Sequence, residues 1–99
     1  MFTVDSVIRT FANAETQRFW EEGRSRRLPV EIRKRTAMRL VQLDAATRLA
    51  DLRWPPSNRL EPLRGECAGQ WSIRINDQWR LCFRFRNGDA FNVEITDYH

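Results

Sequence analysis

An acid, a phenol and an imidazole occupy the last three positions of this chain, Asp97, Tyr98 and His99, after a stretch in which Arg74, Arg80, Arg84 and Arg86 recur. Cleaving RNA without a metal requires a base for the 2′-hydroxyl, a cation for the charge that builds on phosphorus, and an acid for the departing 5′-oxygen. Arginine supplies the cation through a planar fork that binds phosphate bidentately. The terminal triplet supplies groups that move protons. Its spacing alone also fits a frayed chain end, and a final His also fits a tag remnant.

Positioning these groups falls to the segment from Trp71 to His99, which alternates apolar and polar residues as three antiparallel strands. Trp71, Ile73, Ile75, Trp79, Leu81, Phe83, Phe85, Phe91, Val93 and Ile95 form the apolar set. The polar set holds Ser72, Arg74, Asn76, Arg80, Cys82, Arg84, Arg86, Asn92, Glu94, Thr96 and Tyr98. A two-residue Asn87-Gly88 turn would pair Arg84 with Phe91 and mix the faces, so the pattern favours a longer Arg86-Asn87-Gly88 loop that pairs Phe83 with Phe91 and Arg80 with Glu94. The same logic at Asn76-Asp77-Gln78 sets Arg74 opposite Arg80. Like charges directly across a sheet repel and need a compensating anion, which Glu94 or a bound phosphate supplies. Arg74, Arg84 and Asn76 on that face are therefore candidate RNA-backbone contacts; the competing reading has the arginines splayed into solvent.

Upstream, Val7 to Phe11 reads as a short strand. Asn13 caps a helix from Ala14 to about Glu22, with Phe19 and Trp20 inward and Gly23 as its stop. Leu28-Pro29 opens a longer helix whose apolar stripe runs through Ile32, Thr36, Leu40 and Leu43, with Ala37 and Val41 beside it. Arg33, Lys34, Arg35 and Arg39 lie largely off the stripe and read as a solvated face. Trp54-Pro55-Pro56-Ser57-Asn58 cannot continue a helix and forms a loop.

Ninety-nine residues make one domain, 1–99, and 41% hydrophobic content with four tryptophans argues against a disordered tail. No run is long enough for a membrane span and the N-terminus is unlike a signal peptide, so a cytoplasmic protein with no membrane partner is expected. Two cysteines, Cys67 and Cys82, match no disulfide framework or metal-ligand spacing, and neither metal nor cofactor is expected. All basic residues but Lys34 are Arg, within a net charge of +4. That excess fits nucleic acid or an acidic partner, and equally the codon bias of a GC-rich genome.

The segments Arg59-Leu60-Glu61-Pro62-Leu63-Arg64-Gly65, Gly69-Gln70-Trp71-Ser72-Ile73-Arg74-Ile75-Asn76, Gln78-Trp79-Arg80-Leu81-Cys82-Phe83 and Asp97-Tyr98-His99 resemble the HigB branch of the RelE/ParE toxin superfamily. The resemblance implies an α+β fold with two N-terminal helices packed on one face of a curved, mainly antiparallel sheet. It implies the toxin of a type II toxin-antitoxin system, cleaving mRNA in the ribosomal A site without metal. Its partners would be a HigA-like helix-turn-helix antitoxin, the ribosome and mRNA, and operator DNA only through the antitoxin complex. Carried onto this chain, it makes Asp97, Tyr98 and His99 the terminal catalytic group, Arg80 the phosphate clamp and Arg64 a further phosphate contact. Some nucleases of the family carry a second His where this chain has Glu61, so the resemblance implies either that Glu61 is the carboxylate base in its place or that the chain is a weaker nuclease. The alternative is a ParE-like toxin that inhibits DNA gyrase by binding and needs no terminal triplet.

Overall fold

In the computed structural model, which describes residues 6–98, helix α1 spans Ala14–Glu22 and begins where Asn13 accepts the Thr16 N–H at 2.8 Å. It stops at Gly23, whose φ of 74° lets its N–H reach the Phe19 carbonyl. Helix α2 spans Val30–Ala45 directly after Pro29. Its Thr36, Leu40 and Leu43 are buried, and the Thr36 hydroxyl donates to the Ile32 carbonyl, so the polar atom in the stripe is satisfied. Val41, placed beside the stripe by its sequence position, is 57% exposed.

Arg39 departs from the solvated face expected of it and is buried. It follows Thr36 by three and precedes Leu43 by four, so helical geometry carries it into the apolar arc. Its guanidinium donates to the Arg74 carbonyl at 2.9 Å and to Gln42 Oε1 at 3.3 Å, tying α2 to the end of a strand. Burial, aided by the nearby Arg35 charge, lowers its pKa.

Four strands follow in one antiparallel sheet of order β1-β2-β3-β4: β1 Glu61–Pro62, β2 Trp71–Arg74, β3 Trp79–Arg86 and β4 Asp89–Asp97. The Val7–Phe11 segment makes isolated parallel bridges to β4, Ile8 with Ala90 and Phe11 with Val93, rather than a full strand. The Asp44 carboxylate of α2 holds its start by accepting the Val7 and Ile8 N–H groups. Both helices share one apolar cluster with the sheet, including Phe19, Leu40, Leu43, Ile73, Leu81 and Phe83. Thr16 of α1 also accepts the Ile95 N–H at 3.1 Å. This is the α+β arrangement expected, with the helices on one face of the sheet.

Between Pro-Pro and β1 the chain is anchored by Asn58, fully buried, whose amide donates to the Leu52 and Trp54 carbonyls at 3.1 and 3.2 Å. The expected loop is thus a built corner, and it carries Arg59 in the left-handed region at φ 44°.

The β2–β3 register sets Arg74 opposite Arg80, as the alternation requires. The β3–β4 register differs from the expectation. Asn87 and Gly88, at φ 51° and 83°, form a two-residue turn that pairs Arg86 with Asp89, Phe85 with Ala90 and Arg84 with Phe91. Face mixing is corrected one step later by an extra residue in β4: Asn92, at φ 52°, lies within a register shift, after which Cys82 pairs with Glu94 and Leu81 with Ile95. Ala90, Val93 and Ile95 consequently all point inward. Sequence alternation missed this bulge because a strand that gains one residue changes face without changing composition.

Candidate active site

Opposite the helices, the sheet presents three cross-strand rows read from the register: Arg74-Arg80-Thr96, then Glu61-Ser72-Cys82-Glu94, then Arg84-Phe91. The Arg74-Arg80 repulsion is resolved by divergent partners rather than by Glu94, which faces Cys82. Arg74 pairs with Asp77. Arg80 donates from Nε to Ser72 Oγ at 2.8 Å and from Nη2 to the Arg59 carbonyl at 2.7 Å. Ser72 is fully buried, and the Arg59 carbonyl belongs to the left-handed corner after Asn58, so two rigid elements fix the guanidinium plane. Among the described residues Nη1 has no hydrogen-bond partner, leaving one edge of the fork for an anion.

Glu61 is exposed, and its backbone pairs with that of Ser72, the residue whose hydroxyl holds Arg80. Tyr98, 41% exposed, brings its phenol to 3.8 Å from the Cys82 sulfur. Desolvation first, and then the Cys82 contact, push the Tyr98 pKa up to about 12, so the phenol stays protonated and serves as a donor at any physiological pH. Burial likewise raises the Cys82 thiol, which is an uncharged packing group rather than a nucleophile.

The remaining expected site residues are spread over several elements. Asp97 pairs with Trp79, at a helix-side register position of the sheet. Tyr98, just past the end of β4, turns its phenol toward Cys82. Asp97 accepts from the Gln78 side chain at 3.1 Å while the Gln78 carbonyl accepts the Tyr98 N–H, and together these bonds lock the register of the tail. Asn76 spends its side-chain oxygen on the Gln78 and Trp79 N–H groups at 2.8 and 2.7 Å, closing the β2–β3 turn. Arg64 is exposed beyond β1. Arg84 lies half-buried with its guanidinium against Gly69, where a Cβ would come within 2.8 Å of Nη1. His99 lies outside the described residues.

Ser72 and the Arg59 carbonyl are site elements that sequence reasoning did not single out. Ser72 was legible as a member of the polar face; the carbonyl and the outward turn of Phe91 were not. Among the described residues no group of three or more His, Cys, Asp or Glu side chains is arranged to hold a metal ion.

The family described as RelE-like toxin of type II toxin-antitoxin system HigB matches residues 9–99. The chain is 33% identical over 93 residues to Endoribonuclease HigB of Proteus vulgaris, covering 94% of this chain and 100% of the other. It is 41% identical over 89 residues to Toxin HigB-1 of Vibrio cholerae, covering 89% and 94%. In fold it is similar to YoeB of Staphylococcus aureus, solved as a dimer, with a TM-score of 0.55 at 18% identity over 97% of this chain and 99% of that one.

Proposed function

The chain belongs to the HigB family of RelE-like toxins of type II toxin-antitoxin systems, and we propose that its open sheet face cuts mRNA on the ribosome by metal-independent attack of a ribose 2′-hydroxyl. The protein is the toxin half of such a pair and an endoribonuclease, with an antitoxin as its partner. The observation that carries the mechanistic reading is the Arg80 guanidinium, held by Ser72 and the Arg59 carbonyl one row from Glu61 in the sheet, with Nη1 unpaired among the described residues.

In this mechanism Glu61 accepts the 2′-hydroxyl proton as the 2′-oxygen bonds to phosphorus. Arg80 stabilises the charge on the non-bridging oxygens, where a fixed donor acts without reorganising. His99 donates a proton to the 5′-oxygen as its bond to phosphorus breaks, leaving a 2′,3′-cyclic phosphate and a 5′-hydroxyl. Tyr98 donates from its protonated phenol or stacks on a nucleotide. Asp97 acts through Gln78 as a positioning residue for the tail. Arg64, Arg74 and Arg84 hold the RNA backbone around the cut. Asn76 keeps its amide hydrogens for the same strand.

A HigA-like helix-turn-helix antitoxin, the ribosome as the platform, operator DNA reached only through the antitoxin complex, and a cytoplasmic location complete the reading. Among the described residues no helix is long and apolar enough to cross a membrane. The family and the endoribonuclease named among its relatives favour cleavage over gyrase inhibition.

Primer extension on cellular mRNA after brief expression tests the proposal. New 5′ ends inside translated codons, absent when the antitoxin is co-expressed, are expected; intact transcripts with induced DNA breaks would favour the gyrase reading. Glu61→Gln is expected to slow cleavage by about 10²–10⁴-fold, the range of general acid-base groups, without loss of ribosome co-sedimentation. Unchanged cleavage would make Glu61 an ordinary edge-strand carboxylate.

A further inference from the structure

Phe91 is an apolar residue on the open, polar face of the sheet. The Asn87-Gly88 turn pairs it with Arg84 on the open face, while its neighbours Ala90 and Val93 are fully buried on the other. Only the inserted Asn92, in the left-handed region at φ 52°, makes that combination possible. Phe91 is half-buried and does not join the partly buried apolar residues that pack against the core. A phenyl ring turned out beside an arginine gives up burial, while Asn92 next to it takes the left-handed conformation that asparagine tolerates, its N–H bonded to the Thr10 hydroxyl. Breaks in local consistency of this kind concentrate at functional sites.

Its partner is equally specific in placement. The Arg84 guanidinium lies against Gly69, at φ +95°, where any Cβ would meet Nη1 at 2.8 Å. The β1–β2 connection therefore makes room for this arginine. Arg84 follows Arg80 by four residues on the same face of β3, a separation of about 13 Å along the strand.

We infer that Phe91 and Arg84 form a second nucleotide subsite, in which Phe91 stacks on the base of a nucleotide flanking the cut and Arg84 binds its phosphate. The inference rests on the nuclease reading and extends it to how the strand is held. A strand with its scissile phosphate on Arg80 presents a flanking nucleotide, not the scissile pair, to a group this far along the sheet. An aromatic face beside a guanidinium accepts the flat π-surface of any base, so this subsite adds affinity without choosing base identity. The Arg84 guanidinium directly across from the ring suits a polar, anionic strand better than an apolar protein segment.

The test is single-turnover cleavage at sub-saturating toxin on ribosomes programmed with mRNAs that carry one abasic nucleotide at successive positions around the cut. For wild type, one flanking abasic position is expected to slow cleavage by roughly 5- to 100-fold, the range of base–aromatic stacking. Phe91→Leu is expected to lose a similar factor on intact mRNA and to be indifferent to that abasic position, whereas Phe91→Trp keeps both the rate and the sensitivity. Wild type with no sensitive flanking position overturns the inference whatever the variants do, so a poorly folded Phe91→Leu does not shield it. Equal abasic sensitivity in wild type and Phe91→Leu also overturns it, as does normal cleavage by Phe91→Leu with lost antitoxin binding, which would make the ring a protein contact. Absence of any wild-type cleavage would instead sink the nuclease reading beneath it.

Discussion

Arg80→Ala is expected to abolish toxicity and to lower mRNA cleavage by at least about 10²–10³-fold, the loss seen when one preorganised donor to a developing oxyanion is removed. Arg80 projects from the open face, and its partners Ser72 and the Arg59 carbonyl fix its plane, so the variant removes both the charge and its orientation. The fold should survive, because the apolar cluster lies on the other face. The variant leaves the buried Ser72 hydroxyl without this partner, a cost of about 1–3 kcal/mol that thermal unfolding would register as a modest shift. Arg80→Lys should recover only part of the rate, since an ammonium keeps the charge but cannot bond Ser72 and the Arg59 carbonyl while presenting a flat edge to phosphate. Equal primer-extension signals from wild type and Arg80→Ala at matched expression would remove this residue from the site.

His99→Ala is the second large loss expected, about 10²–10⁴-fold in cleavage rate. The sign of its pH dependence is set by its role. A proton donor works in its protonated form, so wild-type rate should decline as rising pH removes the imidazole proton, and the variant should lack that limb. Tyr98 cannot supply it, because its phenol remains protonated up to about 12. Rates on programmed ribosomes between mildly acidic and mildly alkaline pH decide the matter. A variant that cuts as fast as wild type, or that keeps the same alkaline decline, would exclude His99 as the acid and leave the arginine face as an RNA-binding surface.

The sites of agreement and disagreement between sequence and structure follow one physical division. Local rules are strong for the helices: the Asn13 cap, the Gly23 stop and the periodic stripe of α2 each depend on residues within one or two turns, and each element formed where its signals lie. The opposition of Arg74 and Arg80 was legible for the same reason, since a short turn closed by Asn76 sets the register of two adjacent strands. Arg39 was misread because charge was weighed above its place in the helical arc, and a guanidinium enters a core when carbonyl and side-chain acceptors await it.

By itself, then, the sequence determined the α+β class, the polar strand face, its candidate arginines and the family to which the chain belongs. Only the tertiary structure decided what completes the site. The Arg59 carbonyl reaches Arg80 through a corner built around buried Asn58, Ser72 comes from the neighbouring strand, and Gly69 makes space for Arg84 from another connection. Register set Asp97 opposite Trp79, and one bulge residue, Asn92, accompanies the outward turn of Phe91. Pattern reading assumes an unbroken two-residue period, whereas a bulge shifts every later side chain to the opposite face, and its position is chosen by the packing of Ala90, Val93 and Ile95 against the core.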